Sequence, residues 1–157
     1  SDRVFLRDFL RKHHRHEPPA ELHARKLHHL LNLIREKRPI FPDLHELVPA
    51  LAKRYRLAVA SSSNQTVIDV VLEIAGFRSY FLVTVGGDAV HQHKPDPAVY
   101  NLAVQKLGVP AVRCCAIEDS PAGITAAKAA GLTAIGLGQT GADHFARDFA
   151  DVRRLLL

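Results

Sequence analysis

Two adjacent carboxylates, Glu118 and Asp119, follow a short apolar run and precede a helix-forming segment. No basic residue stands beside them in the sequence to offset their mutual repulsion. Two ionised carboxylates side by side need a cation or hydrogen-bond donors, and oxygen ligands of this kind suit Mg²⁺. Carboxylates that only cap the following helix are the alternative, although Ser120 already fills the capping position. The pair is therefore a candidate Mg²⁺ site.

Two further segments carry groups that could bind a phosphoryl group. The segment Ser61-Ser62-Ser63-Asn64 opens a predicted helix, where hydroxyls, an amide and free backbone N–H groups can cradle an anion. Lys94 precedes Pro95, whose ring favours an extended lysine backbone and so a fixed position for the positive charge. Plain helix capping and a solvated surface lysine are the structural alternatives for these two segments.

The elements that must position these groups alternate along the chain. After a helical pattern near residues 43–54, apolar runs predict strands at 57–60, 81–84, 114–117 and 133–137. Helical patterns at 64–75, 96–108 and 120–131 separate these strands. This alternation predicts a doubly wound α/β fold, with a parallel sheet that helices cover on both faces. Ligands of such sheets bind beyond the carboxyl ends of the strands, so the three segments are expected to meet at one edge.

The N-terminal part of the chain has a different character. Residues 2–37 show the spacing of two helices broken at Glu17-Pro18-Pro19, and prolines 39 and 42 mark a boundary. We therefore expect one unit at 1–38 and a second at 39–157. Residues 1–56 hold 13 basic and 7 acidic residues, whereas residues 57–157 hold 8 and 9. A basic segment can meet nucleic acid or an anionic metabolite, but such a helical face is most often only solvated.

Composition limits the class of protein. The 157 residues are 47% hydrophobic and 24% charged, which is typical of a globular chain and excludes a disordered one. No apolar run approaches the roughly 20 residues that span a bilayer, and the first residues lack a signal-peptide core, so we expect a cytoplasmic protein. Cys114 and Cys115 are adjacent on a predicted strand and point to opposite faces, so we interpret both as small core residues.

Three motifs, in this order, resemble those of the haloacid dehalogenase (HAD) superfamily. The motifs are Ala60-Ser61-Ser62-Ser63-Asn64, Lys94-Pro95-Asp96-Pro97 and Glu118-Asp119-Ser120-Pro121-Ala122-Gly123-Ile124. Within the superfamily, the chain is similar to the β-phosphoglucomutase-like and phosphoglycolate-phosphatase-like branch over residues 21–137. The resemblance implies a Rossmann-like core with a helical cap. It also implies a Mg²⁺-dependent phosphatase or phosphomutase that acts on a small phosphorylated metabolite, such as a sugar phosphate, through an aspartyl-phosphate.

The resemblance also implies roles for individual residues. Ser61 looks like the hydroxyl that binds the transferring phosphoryl group, with Ser62 and Asn64 beside it. Lys94 is similar to the lysine that neutralises this group and the nucleophile. Asp119, with Glu118 beside it, looks like the Mg²⁺ ligand pair.

Residues 1–38 resemble the second half of the helical cap, which leaves residues 39–157 as the α/β core. Arg25 and Lys26 in this segment are candidates to contact the phosphate or the sugar of the substrate. Two basic residues on a solvated helix are the alternative explanation.

The chain departs from the family at the motif that supplies the nucleophile. Members carry Asp-x-Asp on their first strand. No two aspartates of this chain are separated by a single residue, since they stand at 2, 8, 43, 69, 88, 96, 119, 143, 148 and 151. The family's first strand lies centrally, so its absence would leave a slot about 9 to 10 Å wide between the strands ending at Ala60 and Ile117. We expect the parent protein to carry this segment before Ser1, and residues 1–157 alone to be inactive.

The expected partner is a small phosphorylated metabolite, with no nucleic acid and no membrane, and the expected state is a monomer or weak homodimer. Two alternatives remain at this point. One is a non-catalytic binding module that keeps the HAD fold and uses its basic N-terminal third. The other is a generic doubly wound domain, although no glycine fingerprint of a dinucleotide fold follows the first strand.

Overall fold

A computed structural model describes the backbone of residues 2–14 and 16–157 and the side chains of 7–14 and 16–157. The chain divides into two compact units, Ser1–Pro39 and Ile40–Leu157. The first unit contains helices α1 (Asp2–Lys12) and α2 (Pro19–Lys37), which contact each other. Helix α2 begins with proline at its first position, where the missing N–H is not needed, and ends at Arg38 in the left-handed region. The interpretation of this unit as a partial cap stays a prediction.

The second unit alternates helices and strands, and all its strand pairs are parallel. Its helices are α3 (Leu44–Ala52), α4 (Gln65–Ala75), α5 (Ala98–Leu107), α6 (Pro121–Ala129) and α7 (Phe149–Leu156). Its strands are β1 (Leu57–Ala60), β2 (Phe81–Val85), β3 (Cys115–Glu118), β4 (Thr133–Leu137) and β5 (His144–Ala146). The predicted parallel α/β class is confirmed.

Helices cover both faces of the strands. Ala134 and Ile135 are adjacent on β4 and therefore point to opposite faces. Ala134 is buried in a cluster with residues of α5 and α6, whereas Ile135 is buried in a cluster with residues of α3 and α7. Val152 of α7 lies in the second cluster, and burying a side chain of this size contributes roughly 1.5–3 kcal/mol. Because β4 is buried on both faces, its sequence is a nearly continuous apolar run and does not alternate with polar residues.

The strands form two separate groups. Strand β1 pairs with β2, and β3 pairs with β4, which in turn pairs with β5. Each of β1 and β3 therefore has one edge that no described strand occupies. These two edges line one cleft of about 1190 Å³, to which every residue of both strands contributes. The cleft lies between the strands that end at Ala60 and Glu118, where the sequence analysis expects an unfilled strand position.

Several elements differ from the sequence-based expectations. Strand β3 begins and ends one residue later than predicted, so Glu118 is the last residue of the strand and not the first of the loop. Strand β5 and helix α7 were not predicted. The interpretation of the cysteines as core residues is wrong for Cys115, which is exposed where β3 borders the cleft, whereas Cys114 is half-buried and packs against the core. None of the helices in the described part of the chain has the length and apolar character to traverse a bilayer.

Candidate active site

Lys94 connects the ends of two strands. Its Nζ donates hydrogen bonds to the Ala60 carbonyl oxygen at 3.1 Å and to the Tyr100 hydroxyl at 3.2 Å, and it forms an ion pair with Glu118 Oε1. Only 10% of the Lys94 side chain and 8% of the Glu118 side chain are exposed. An ammonium group has three hydrogens, and three acceptors surround this one. The positive charge is therefore held at the carboxyl ends of β1 and β3.

Tyr100 of α5 completes this buried group. Its hydroxyl donates to Glu118 Oε1, and the Lys94 Nζ lies 4.7 Å from the centre of its ring. Burial raises the pKa of Tyr100, and the hydrogen bond to Glu118 and the charges of Glu118 and Asp119 raise it further. The hydroxyl is therefore a permanent donor near neutral pH. The sequence analysis missed this residue, although a tyrosine on the buried face of a helix requires a polar partner for its hydroxyl.

The position of Glu118 depends on the first turn of α6. A Cβ atom at Gly123 would overlap the carboxylate of Glu118, so glycine allows the carboxylate to lie here and a larger residue would require it to move. Ser120 Oγ accepts a hydrogen bond from the Gly123 N–H at 3.1 Å and donates to Glu118 Oε2 at 3.4 Å. The prediction that Ser120 is the N-cap is confirmed. The carboxylate thus lies against the start of the helix, where the helix dipole favours negative charge.

The two acidic residues have different surroundings. Glu118 is buried and its charge is offset by Lys94, whereas Asp119 is exposed. No cation neighbours the two carboxylates in the sequence, but Lys94, from another loop, supplies one to Glu118. Among the described residues, no group of three or more His, Cys, Asp or Glu side chains could hold a metal ion. Two carboxylates still suit Mg²⁺, which commonly binds one or two of them together with water and phosphate oxygens.

The serine segment lies directly after β1. Ser61 N donates to the Val85 carbonyl at 3.0 Å, which extends the pairing of β1 with β2, and Ser61 Oγ accepts from Ser63 N at 3.1 Å. Ser62 is exposed, and Asn64 precedes the first residue of α4 without capping it through its side chain. The segment therefore presents hydroxyls beside the Ala60 carbonyl that Lys94 contacts.

The loop after β2 holds the serine segment in place. Asp88 Oδ1 accepts from the Gln65 N–H at 2.8 Å, so this aspartate caps α4 from another loop. Gly87 N donates to the Ser63 carbonyl at 2.8 Å, and a Cβ atom at Gly87 would lie 2.5 Å from the Ser62 carbonyl oxygen. Helix capping by the serine segment itself, the alternative raised above, is not what the structure shows.

Arg25 and Lys26 lie on α2, in the first unit. Arg25 forms an ion pair with Glu17. Their contact with a substrate stays a prediction, as do the roles of Ser61, Ser62, Asn64, Lys94, Glu118 and Asp119 in catalysis and binding.

Comparisons with known proteins identify the family of this chain. The family model of haloacid dehalogenase-like hydrolases matches residues 3–131. The CBBY-like protein of Arabidopsis thaliana is 39% identical over 120 residues, which cover 74% of this chain and 38% of that protein. Protein CbbY of Rhodobacter capsulatus is 36% identical over 121 residues, covering 74% of this chain and 53% of that protein.

A solved structure extends the match to the fold. CbbY from Rhodobacter sphaeroides, in a variant crystallised with xylulose-(1,5)bisphosphate, superposes with a TM-score of 0.79 at 31% identity, over 96% of this chain and 74% of that one. The chain spans about half the length, or less, of the two curated relatives. The resemblance drawn from the three motifs is confirmed, including the branch. The chain belongs to the haloacid dehalogenase-like hydrolase family.

Proposed function

We propose that this chain carries the phosphoryl-binding and metal-binding residues of a Mg²⁺-dependent phosphatase or phosphomutase. The substrate is a small phosphorylated metabolite, such as a sugar phosphate, and the reaction passes through an aspartyl-phosphate. The observation that carries the proposal is the position of Lys94, whose Nζ contacts both the Ala60 carbonyl and the Glu118 carboxylate. One fixed cation thus stands where two strands end, and the serine segment begins directly after Ala60.

In this proposal the chain's own residues mainly position the phosphoryl group and offset its charge. The Lys94 ammonium faces the phosphoryl group. Without substrate, all three of its N–H donors are in use, so a phosphoryl oxygen would replace one of the two neutral acceptors, the Ala60 carbonyl or the Tyr100 hydroxyl. The Ser61 hydroxyl, with Ser62 and Asn64 beside it, donates to the same group. The first N–H of α4 already donates to Asp88, so the proposed phosphate contacts come from the side chains and not from this helix end.

Asp119 and Glu118 are the residues that would hold Mg²⁺. Asp119 is the exposed carboxylate and can bind directly, whereas Glu118 is already paired with Lys94. Bound there, Mg²⁺ would offset the negative charge of the phosphoryl group.

The nucleophilic aspartate is proposed to lie on an extended segment outside this chain. Supporting this, the cleft of about 1190 Å³ is bordered by β1 and β3, and each has an edge that no described strand occupies. A parallel strand inserted there would end beside Lys94, between Ala60 and Glu118. A carboxylate oxygen of the first aspartate at the end of that strand would attack phosphorus, so that an O–P bond forms, the ester P–O bond breaks, and the leaving oxygen takes a proton from the second aspartate of the Asp-x-Asp pair. Water would then attack the phosphorus of the aspartyl-phosphate, which releases inorganic phosphate and restores the first aspartate.

A phosphorylated sugar is the proposed substrate because of the relatives. CbbY from Rhodobacter sphaeroides was crystallised with xylulose-(1,5)bisphosphate, and 31% of its aligned residues are identical to those of this chain.

Adding a strand to the open edges of β1 and β3 tests the proposal. An apolar strand ending in Asp-x-Asp is supplied as an N-terminal extension, and phosphate release is measured with Mg²⁺ on a panel of hexose phosphates, phosphoglycolate and xylulose-(1,5)bisphosphate. We expect no turnover by the chain alone and turnover by the extended chain. An otherwise identical extension ending in Asn-x-Asn is the matched control and should be inactive. Turnover by the chain alone, or unchanged turnover after Asp119→Asn in the extended chain, would contradict the proposal.

A further inference from the structure

One buried side chain of the site has no role in the steps above. Tyr100 is 5% exposed, and its hydroxyl contacts both members of the buried ion pair. The oxygen accepts a hydrogen bond from Lys94 Nζ, and the proton is donated to Glu118 Oε1. The ring lies under the same ammonium, with 4.7 Å between its centre and Nζ. Tyr100 therefore contacts the Lys94 ammonium with both its hydroxyl and its ring.

We propose that Tyr100 is a positioning residue, whose hydroxyl bridges Lys94 and Glu118 and so keeps the lysine charge beside the end of β1. This inference rests on the proposed function, because the charge that Tyr100 positions is the one assigned to the phosphoryl group.

The physical reason lies in the freedom of a lysine side chain. Four rotatable bonds separate the ammonium of Lys94 from its backbone, and that backbone belongs to a loop. Attraction to Glu118 restrains the distance between the two charges but not the direction of the ammonium. The Ala60 carbonyl and the Tyr100 hydroxyl supply two further directions, and three acceptors define one position. The carboxylate is restrained in turn, because the same hydroxyl donates to it.

Tyr100→Phe separates this role from packing. The variant keeps the ring and its contact with the ammonium, and removes only the oxygen. It leaves one N–H donor of Lys94 and one acceptor site of Glu118 unmet in a buried site, which is unfavourable in the resting arrangement. The ammonium is then free to move toward Glu118 and away from the end of β1.

Tyr55→Phe is the matched control. The Tyr55 hydroxyl makes one described hydrogen bond, to the Leu156 carbonyl at 2.8 Å, whereas the Tyr100 hydroxyl makes two. Tyr55 is exposed and is not among the residues that contact Lys94. Both variants remove one hydroxyl oxygen from a tyrosine. A loss that follows only from a missing hydrogen bond should therefore affect both proteins.

The first readout is the ¹⁵N NMR signal of the Lys94 ammonium, assigned by its loss in Lys94→Met. A buried, hydrogen-bonded ammonium exchanges its protons slowly. We expect the signal in the wild type and in Tyr55→Phe, and proton exchange at least about fivefold faster in Tyr100→Phe, the ratio for one lost hydrogen bond. An unchanged signal in folded Tyr100→Phe would overturn the inference.

The second readout is the dissociation constant for inorganic phosphate in the presence of Mg²⁺. We expect Tyr100→Phe to weaken binding about fivefold and Tyr55→Phe to change it less than twofold. A merely structural role would lower the free energy of unfolding but leave the affinity of the folded protein unchanged, and that outcome also counts against positioning.

The two readouts separate the inference from the proposed function. If the wild type binds no phosphate, the proposed function loses its support while the ammonium signal still decides the role of Tyr100. If Tyr100→Phe does not fold, the wild type decides it: the ε-protons of Lys94 must show nuclear Overhauser effects to the ring protons of Tyr100. Their absence would overturn the inference.

Discussion

The ammonium of Lys94 lies 3.1 Å from the carbonyl oxygen of Ala60, although the two residues are 34 positions apart in the chain. This contact brings the loop after β2 to the end of β1. Because Glu118 contacts the same nitrogen, the end of β3 joins them. The functional groups of three separate motifs therefore depend on one lysine, and removing its charge should disturb both stability and binding.

Lys94→Met should lower the free energy of unfolding by about 3–5 kcal/mol, because it leaves the buried Glu118 carboxylate without its counter-ion. Urea denaturation at neutral pH measures the change. Lys106→Met, at an exposed position on α5, is the control and should change stability by no more than about 0.5 kcal/mol. Adding Glu118→Gln to Lys94→Met should restore more than half of the loss. No restoration would mean that the two charges do not form a stabilising pair.

Gly123→Ala should destabilise the protein, although alanine is the better helix former by roughly 0.5–1 kcal/mol. The added Cβ overlaps the Glu118 carboxylate, and overpacking of this kind costs about 1–3 kcal/mol. In a Glu118→Ala background the same change should become neutral or stabilising, because the overlapping atoms are gone. Chemical denaturation of the four proteins forms a double-mutant cycle, and equal effects in both backgrounds would refute the overlap.

Asp88→Ala should cost about 1 kcal/mol, the usual value for a lost helix cap, because Asp88 Oδ1 accepts from the first N–H of α4. Asp88→Asn keeps an acceptor oxygen and should cost less than half as much. Asn64→Ala, at the residue just before the helix, should have almost no effect, since no cap hydrogen bond from its side chain is present. Thermal unfolding measures these losses of stability. A larger loss for Asn64→Ala than for Asp88→Ala would show that Asn64, and not Asp88, caps the helix.

The acid limb of the stability profile should depend on Asp143. A hydrogen bond from Ala134 N, followed by Lys128, lowers the pKa of Asp143 in the folded protein. A lowered folded-state pKa gives stabilisation that is present above the ordinary aspartate pKa and is lost as pH falls through the folded value. The difference in unfolding free energy between wild type and Asp143→Asn should therefore stay constant from pH 7 down to about pH 5 and shrink as pH falls below the ordinary aspartate pKa.

Urea titrations at several pH values follow that difference. Glu73→Gln, at an exposed position on α4, removes one negative charge elsewhere and serves as the control. A difference for Asp143→Asn that stays constant with pH would exclude the assigned cause.

The thiol of Cys115 should report whether a strand fills the cleft. Cys115 is exposed on β3 and lines the cleft, so Ellman's reagent should reach it in the chain alone, although desolvation raises the pKa of its thiol and slows the reaction near neutral pH. With the apolar Asp-x-Asp extension, we expect the rate to fall at least about tenfold, because an added strand would cover the open edge of β3. The measurement is made in Cys114→Ser, which leaves a single thiol. An equal rate in the extended chain would indicate that the extension lies elsewhere.

Periodicity and local residue types determined much of the fold. The apolar runs at Leu57–Ala60 and Thr133–Leu137 match β1 and β4 as predicted, because short apolar segments between helix caps have few other structures available. Ser120 could be identified as a cap because its partner, Gly123, is only three residues away. The motif order also identified the family, since each motif is a continuous stretch of sequence.

Contacts between distant parts of the chain decided the rest. No local pattern could show that Lys94 offsets Glu118, that Tyr100 bridges them, or that Asp88 caps a helix 23 residues earlier. The short strand β5 was missed because its place depends on pairing with β4 and not on its own composition. Sequence alone could name candidate functional groups because residue types are local. Only the folded chain determines which of these groups form an ion pair, since an ion pair depends on distance in space.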